Sequence, residues 1–163
     1  MKYSGISTYM EILINELKHL LEGGGAHVGL KDATANIPFI LLGERPHQLP
    51  YSIWQLVEHI RIAQWDMLEF SRKDNHKSPK WPEEYWPKEL APADISSWDA
   101  SLRQIAEDLN AFLILLQTEN LYDPFLHGSG QSLLREALQI ADHAAYHIAE
   151  IVVVRRLLGI WKP

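Results

Sequence analysis

The sequence predicts an all-α fold, a bundle of four long helices. Apolar residues recur at helical spacing in four long segments, no segment carries the alternation of a half-buried strand, and glycine or proline runs separate the segments. At 163 residues the chain fits a single domain spanning residues 1–163, which can bury roughly 70% of the surface its unfolded form exposes.

The first helix is expected over about residues 6 to 22, where Ile6, Met10, Leu13, Ile14, Leu17, Leu20 and Leu21 share one stripe. Gly23-Gly24-Gly25 should stop it, because glycine enters the left-handed conformation of a helix C-cap without a Cβ clash. Between residues 26 and 42, Leu30, Ala33, Ile37, Ile40 and Leu41 suggest a short helix, with Pro38 at a kink or end. Ser52-Ile53-Trp54-Gln55 reads as a capping box opening a helix over about 52 to 72. Residues 74 to 95 hold Pro79, Pro82, Pro87 and Pro92 among Trp81, Tyr85 and Trp86, so no helix can run through. This connection is long enough to travel the length of a bundle, and the helices on either side need not be antiparallel neighbours.

Ser96 or Ser97 is expected to open the third long helix, with Asp99 complementing its N-terminus. Its inner stripe would be Trp98, Leu102, Ile105, Leu109, Phe112, Leu113 and Leu116, with an end near Glu119. The fourth should begin beyond Ser132 and end before Gly159, with Arg155 and Arg156 near its negative end.

Charge and composition narrow the function. A net charge of −6 with no long basic run argues against a nucleic-acid partner, which needs a basic face to displace counterions. With no cysteine, any metal must take nitrogen or oxygen ligands. No apolar run approaches the roughly 20 residues that cross a bilayer. Met1-Lys2-Tyr3-Ser4-Gly5 leads into a polar helix pattern instead of an apolar leader core, so a cytoplasmic location is expected.

The chemistry is carried by histidine. His143-Ala144-Ala145-Tyr146-His147 sets two imidazoles four positions apart on the last helix, about 40° apart on one face and roughly 6 Å along the axis. Alone, an HxxxH pair is more often an incidental pair of surface or core histidines. His59 changes that balance, because Gln55, Leu56, Ala63, Asp66 and Phe70 surround it on the wheel and put it on a mixed inner seam. Three neutral imidazoles suit zinc, nickel, iron or copper better than magnesium or calcium, with zinc or nickel foremost. They also leave positions open for water or substrate.

Glu150, one turn beyond His147, is a candidate fourth ligand, orienting acceptor or general base, and equally a solvated carboxylate. Asp66, two turns from His59, reads more readily as solvated. There is no HExxH motif. His19, His27, His47, His76 and His127 fall near helix ends or in connections, where surface roles are the default, although His27 or His127 could line a mouth. Trp54, Trp65 and Trp98 read as packing residues. Packing is also favoured for Trp81 and Trp86, over a loop that covers a site.

His59 within Leu56-Val57-Glu58-His59-Ile60, the run Ala141-Asp142-His143-Ala144-Ala145-Tyr146-His147, the loop Trp81-Pro82-Glu83-Glu84-Tyr85-Trp86-Pro87 and the ending Leu158-Gly159-Ile160-Trp161 together resemble the DinB-like (damage-inducible, YfiT-like) superfamily over nearly the whole chain. The resemblance implies an up-down-down-up four-helix bundle with a long crossover between its second and third main helices, often a homodimer. It also implies a histidine triad that maps onto His59, His143 and His147. One departure stands beside that triad: related sequences often continue the last histidine as His-x-Gly-Gln, whereas here it is His147-Ile148-Ala149-Glu150.

Activity within that superfamily is varied. The resemblance implies a metal-dependent enzyme acting on a small molecule, either a thiol-dependent S-transferase or a hydrolase. For the transferases a low-molecular-weight thiol would bind the open metal position, lose its proton and attack an electrophile as thiolate. The competing readings are a non-catalytic, metal-stabilised stress-response or binding module, in which Glu150 closes the metal shell, and a plain bundle without metal.

Overall fold

The computed structural model describes residues 4–23 and 25–162, with only the backbone of residues 4–7. Every regular element among the described residues is helical: α1 Ser4–Glu22, α2 Leu30–Thr34, α3 Ile53–Arg72, α4 Ile95–Thr118 and α5 Leu133–Leu157, with 3-10 turns at Phe39–Leu41 and Pro46–Gln48. The four long helices are those expected. The side chain of Ile6 lies outside what the structure describes, as do Met1 to Tyr3 and Gly24.

Local signals act where the chemistry requires them. Gly23 takes φ +74° directly after α1, the left-handed position that an L side chain rarely adopts. Both halves of the Ser52 box form: Ser52 Oγ accepts from the Gln55 amide and Gln55 Oε1 accepts from the Ser52 amide, each at 3.2 Å. The start of α4 differs from expectation. Its cap is Asp94, whose Oδ1 accepts from both the amide and the hydroxyl of Ser97 at 2.8 Å, so the serines sit in the first turn and not at the cap. The carboxylate wins that position because it offers a charged acceptor to the positive end of the helix. Ser132 caps α5 as the sequence implies.

Two apolar clusters fill the interior. Leu42, Ile53, Leu56, Val57, Ile60, Trp98, Ile105, Ile148 and Ile151 form one; Leu17, Met67, Leu68, Phe112, Leu116, Leu121, Leu133, Ala137 and Ile140 form the other. Burying each large side chain of this kind contributes about 1.5–3 kcal/mol. α3 packs on both α4 and α5, and α1 lies against α5 and α4. Leu20, expected on the inner stripe of α1, is instead exposed. On α3 the first cluster ends at Ile60 and the second begins at Ala63; on α5 the boundary falls between Ile140 and Ile148. On α5 His143 and His147 fall within that boundary, and on α3 His59 lies one residue before it.

The segment 73–94 returns along α3 instead of leaving it. The Tyr85 hydroxyl meets Asp66, the Pro87 carbonyl accepts from Gln55 Nε2, and the Leu90 carbonyl accepts from the Ser52 hydroxyl. Trp54 near the start of α3 and Trp98 near the start of α4 then pack together, ring centroids 6.4 Å apart. Near the end of α5, beside the same cluster, Arg155 is buried and donates through Nη1 to the carbonyls of Asp32 and Ala33. It therefore secures α2, where the sequence suggests only a favourable charge at the end of its own helix.

Candidate metal centre

His59 projects from the middle of α3, and His143 and His147 from successive turns of α5. The structure brings these three together: their ligand nitrogens lie within 4.8 Å of one another, and His143 Nε2 stands 3.0 Å from His59 Nε2. His59 is almost fully enclosed, at 1% exposure, and His147 is buried. Among the described residues no other cluster of histidine, aspartate and glutamate has this geometry.

The outer nitrogens have partners that aim the inner ones. His59 Nδ1 lies 2.9 Å from the Tyr85 carbonyl oxygen. A carbonyl only accepts, so Nδ1 carries the hydrogen and Nε2 presents a bare lone pair to the cluster. His147 Nδ1 lies 2.7 Å from Glu150 Oε2, which leaves its Nε2 for the interior. This is the arrangement by which a carboxylate or backbone carbonyl sets the tautomer of a metal-binding imidazole.

Electrostatics favours neutral rings. Burial, opposed by the Tyr85 bond and reinforced by His147, lowers the His59 pKa to about 4. Burial, followed by the charges of His147 and His59, lowers His143 to about 3. Near pH 7 both rings are therefore neutral, the form that offers a lone pair to a cation. Each neutral imidazole offers one lone pair, and the two Nε2 atoms 3.0 Å apart, with the third ring beside them, converge on a common point. The donor set thus fits a single transition metal ion.

Aromatic side chains of the returning segment close one side. Trp86 stacks on His59, ring centroids 3.8 Å apart and planes within 6°, and its other face covers Tyr51 at 4.0 Å. Trp81 remains 68% exposed with its ring 6.3 Å from that of His59, and the exposed Tyr146 ring lies 4.9 Å from that of His147. The segment covers the cluster, where its composition favours mere packing. Trp54 and Trp98 do pack in the core as expected.

Comparison with known proteins identifies the family. A sequence model of the DinB superfamily matches residues 30–151. The chain belongs to the DinB superfamily. Searches of curated proteins and of solved structures find no match. The DinB match includes His59, His143, His147 and the aromatic segment; α1 lies outside it. In this DinB chain Glu150 touches the outer nitrogen of His147, side chain about one-third exposed, as an orienting acceptor would.

Several residues take places that the sequence does not suggest. Asp66, read as solvated, is buried and accepts from the Tyr85 hydroxyl at 2.5 Å, with His76 Nε2 2.7 Å away on its other oxygen. His76 is therefore no free surface imidazole. His127 places Nε2 2.9 Å from the Phe70 carbonyl oxygen, a role in joining the loop before α5 to the end of α3. A tyrosine between two tryptophans in a proline-rich loop is the one signal that pointed at the covering residues; nothing local couples them to Asp66.

Proposed function

We propose that His59, His143 and His147 hold one divalent transition metal ion, zinc or nickel, through their Nε2 atoms, and that this DinB protein is a metal-dependent enzyme acting on a small molecule. The reaction proposed is thiol-dependent S-transfer or hydrolysis. The observation that carries this reading is the convergence of three imidazole nitrogens within 4.8 Å, with two of the rings held neutral by burial and two aimed by outer acceptors.

A divalent ion there would act as a Lewis acid and lower the pKa of a bound water or thiol. The chain itself supplies the rest. Tyr85 and Glu150 orient two rings, Trp86 keeps water off the buried face of His59, and the exposed Trp81 and Tyr146 offer ring faces to an apolar part of a substrate. Glu150 on the outer nitrogen favours the orienting role over closure of the metal shell, which weakens the reading of a non-catalytic module.

For the bundle we propose the up-down-down-up order, supported by the return of segment 73–94 to the start of α3 and by the Trp54–Trp98 contact. A single domain is supported by the spread of both apolar clusters over the chain. A homodimer is further proposed, for which the exposed Tyr9 and Ile12 of α1 offer apolar area. The net charge of −6 supports a role without nucleic acid. No helix of the described residues is long and apolar enough to cross a membrane, and we propose a cytoplasmic location.

The test is metal analysis of dialysed protein followed by turnover assays. Panels of thiols with electrophiles, and of esters and amides, should reveal activity that requires the ion and is lost in His147→Ala. A fully loaded protein idle on both panels refutes the enzyme, and a chain that retains no zinc or nickel refutes the site.

A further inference from the structure

Two contacts together govern the His59 ring. Stacking on Trp86 sets the plane of its ring, yet a half-turn about the Cβ–Cγ bond preserves that plane while exchanging the sides on which the nitrogens lie. The stack therefore cannot decide which nitrogen faces the cluster. The Tyr85 carbonyl can, because it accepts only where Nδ1–H is. That carbonyl belongs to a segment without regular structure, so its position needs an anchor of its own.

The anchor is on the same helix as the histidine. Asp66 follows His59 by seven residues, two turns along one face of α3. Its two carboxylate oxygens meet the Tyr85 hydroxyl and His76 Nε2. Tyr85 is thus held at both ends against α3, hydroxyl to Asp66 and carbonyl to His59. Burial first, then the bond to Asp66, raises the Tyr85 pKa, which keeps the hydroxyl a donor. Gln55 and Ser52 tether the segment further along, at Pro87 and Leu90, beyond the residue that touches the imidazole.

We infer that Asp66 is a positioning residue which, through Tyr85, locks His59 in its Nδ1–H tautomer and so keeps Nε2 available to the cluster. The consequence for affinity rests on the metal site proposed above; the tautomer lock does not. Outer partners of metal-binding histidines typically change affinity by about 10–100-fold when removed, and the indirect path through a backbone carbonyl places the expected effect near about tenfold.

Histidine-selective ¹⁵N spectra of the metal-free protein near neutral pH read the tautomer directly. Wild type should show His59 wholly as Nδ1–H. Tyr85→Phe and Asp66→Ala should give a mixture of tautomers, whereas Asp66→Asn, which keeps an oxygen for the hydroxyl, should stay close to wild type. Titration with Co²⁺ should then weaken about tenfold in Tyr85→Phe, with a shifted d–d spectrum. Folded Tyr85→Phe and Asp66→Ala proteins that melt earlier but retain the wild-type tautomer overturn the inference, because Asp66 then only stabilises the loop. Failure of wild type to bind Co²⁺, with the tautomer still responding to Tyr85→Phe, sinks the metal site and leaves the positioning role standing.

Discussion

Replacing Glu150 by glutamine tests how the outer shell contributes to the proposed site. The carboxylate lies 2.7 Å from His147 Nδ1 with its side chain about one-third exposed. A hydrogen bond to a charged partner is worth about 1.5–3 kcal/mol against about 0.5–1.5 kcal/mol for a neutral one. The exchange thus removes about 1–1.5 kcal/mol when like ends of the two ranges are compared, and solvent access puts the expected loss near the lower figure. About 1 kcal/mol corresponds to roughly fivefold weaker binding. Competition with a chromophoric chelator for Zn²⁺, at fixed pH and ionic strength, should show that change in Glu150→Gln and a larger one in Glu150→Ala, which has no acceptor left. Affinity within about twofold of wild type in both variants would refute the orienting role. A loss beyond about a hundredfold would refute it from the other side, by making the carboxylate a direct ligand.

Three further outcomes are expected. His147→Ala should abolish retained metal after dialysis while the exposed His19→Ala keeps it, measured by elemental analysis; His76 is a poor control because it is bonded to Asp66. Trp86→Ala empties the space between Tyr51 and His59; for a half-buried tryptophan we expect a loss of about 2 kcal/mol, or about 4–8 °C in Tm of the metal-free protein, and an unchanged Tm would refute the stacking contribution. Glu136, buried on α5, has its carboxyl pushed up to about 7 from the ordinary 4.5, by burial first, with Arg135 opposing and Asp66 adding. The folded chain therefore holds that proton more tightly than the unfolded one, so its contribution to stability falls as pH rises from about 4.5 to 7 and levels off above. Glu136→Gln should flatten that slope and stabilise the protein at pH 8 by on the order of 1–2 kcal/mol, read by denaturant titration at both ends of the range.

The helices were legible because their signals are local. Gly23, the Ser52–Gln55 box and Ser132 act within one turn of the chain, and periodicity alone locates the stripe containing Phe112 and Leu116. Asp94 escaped because two serines next to it compete for the same role, and charge decides between them. The histidine triad was partly legible: the four-residue spacing of His143 and His147 is a property of one helix. That His59 approaches them depends on how α3 packs on α5, for which the sequence offered a mixed seam and a family resemblance.

Residue order was sufficient for which segments coil, where they stop, and which imidazoles can face inward, since each of these follows from neighbours within about four positions. The convergence of His59 on α5, the Trp86 stack, and the bonds from Asp66 to Tyr85 and His76 arose only on folding. They join residues tens of positions apart, or pair an irregular segment with a helix, and no periodic pattern encodes where a proline-rich chain returns. Packing settled it, because only the assembled helices offer that segment the buried acceptors and ring faces on which it comes to rest.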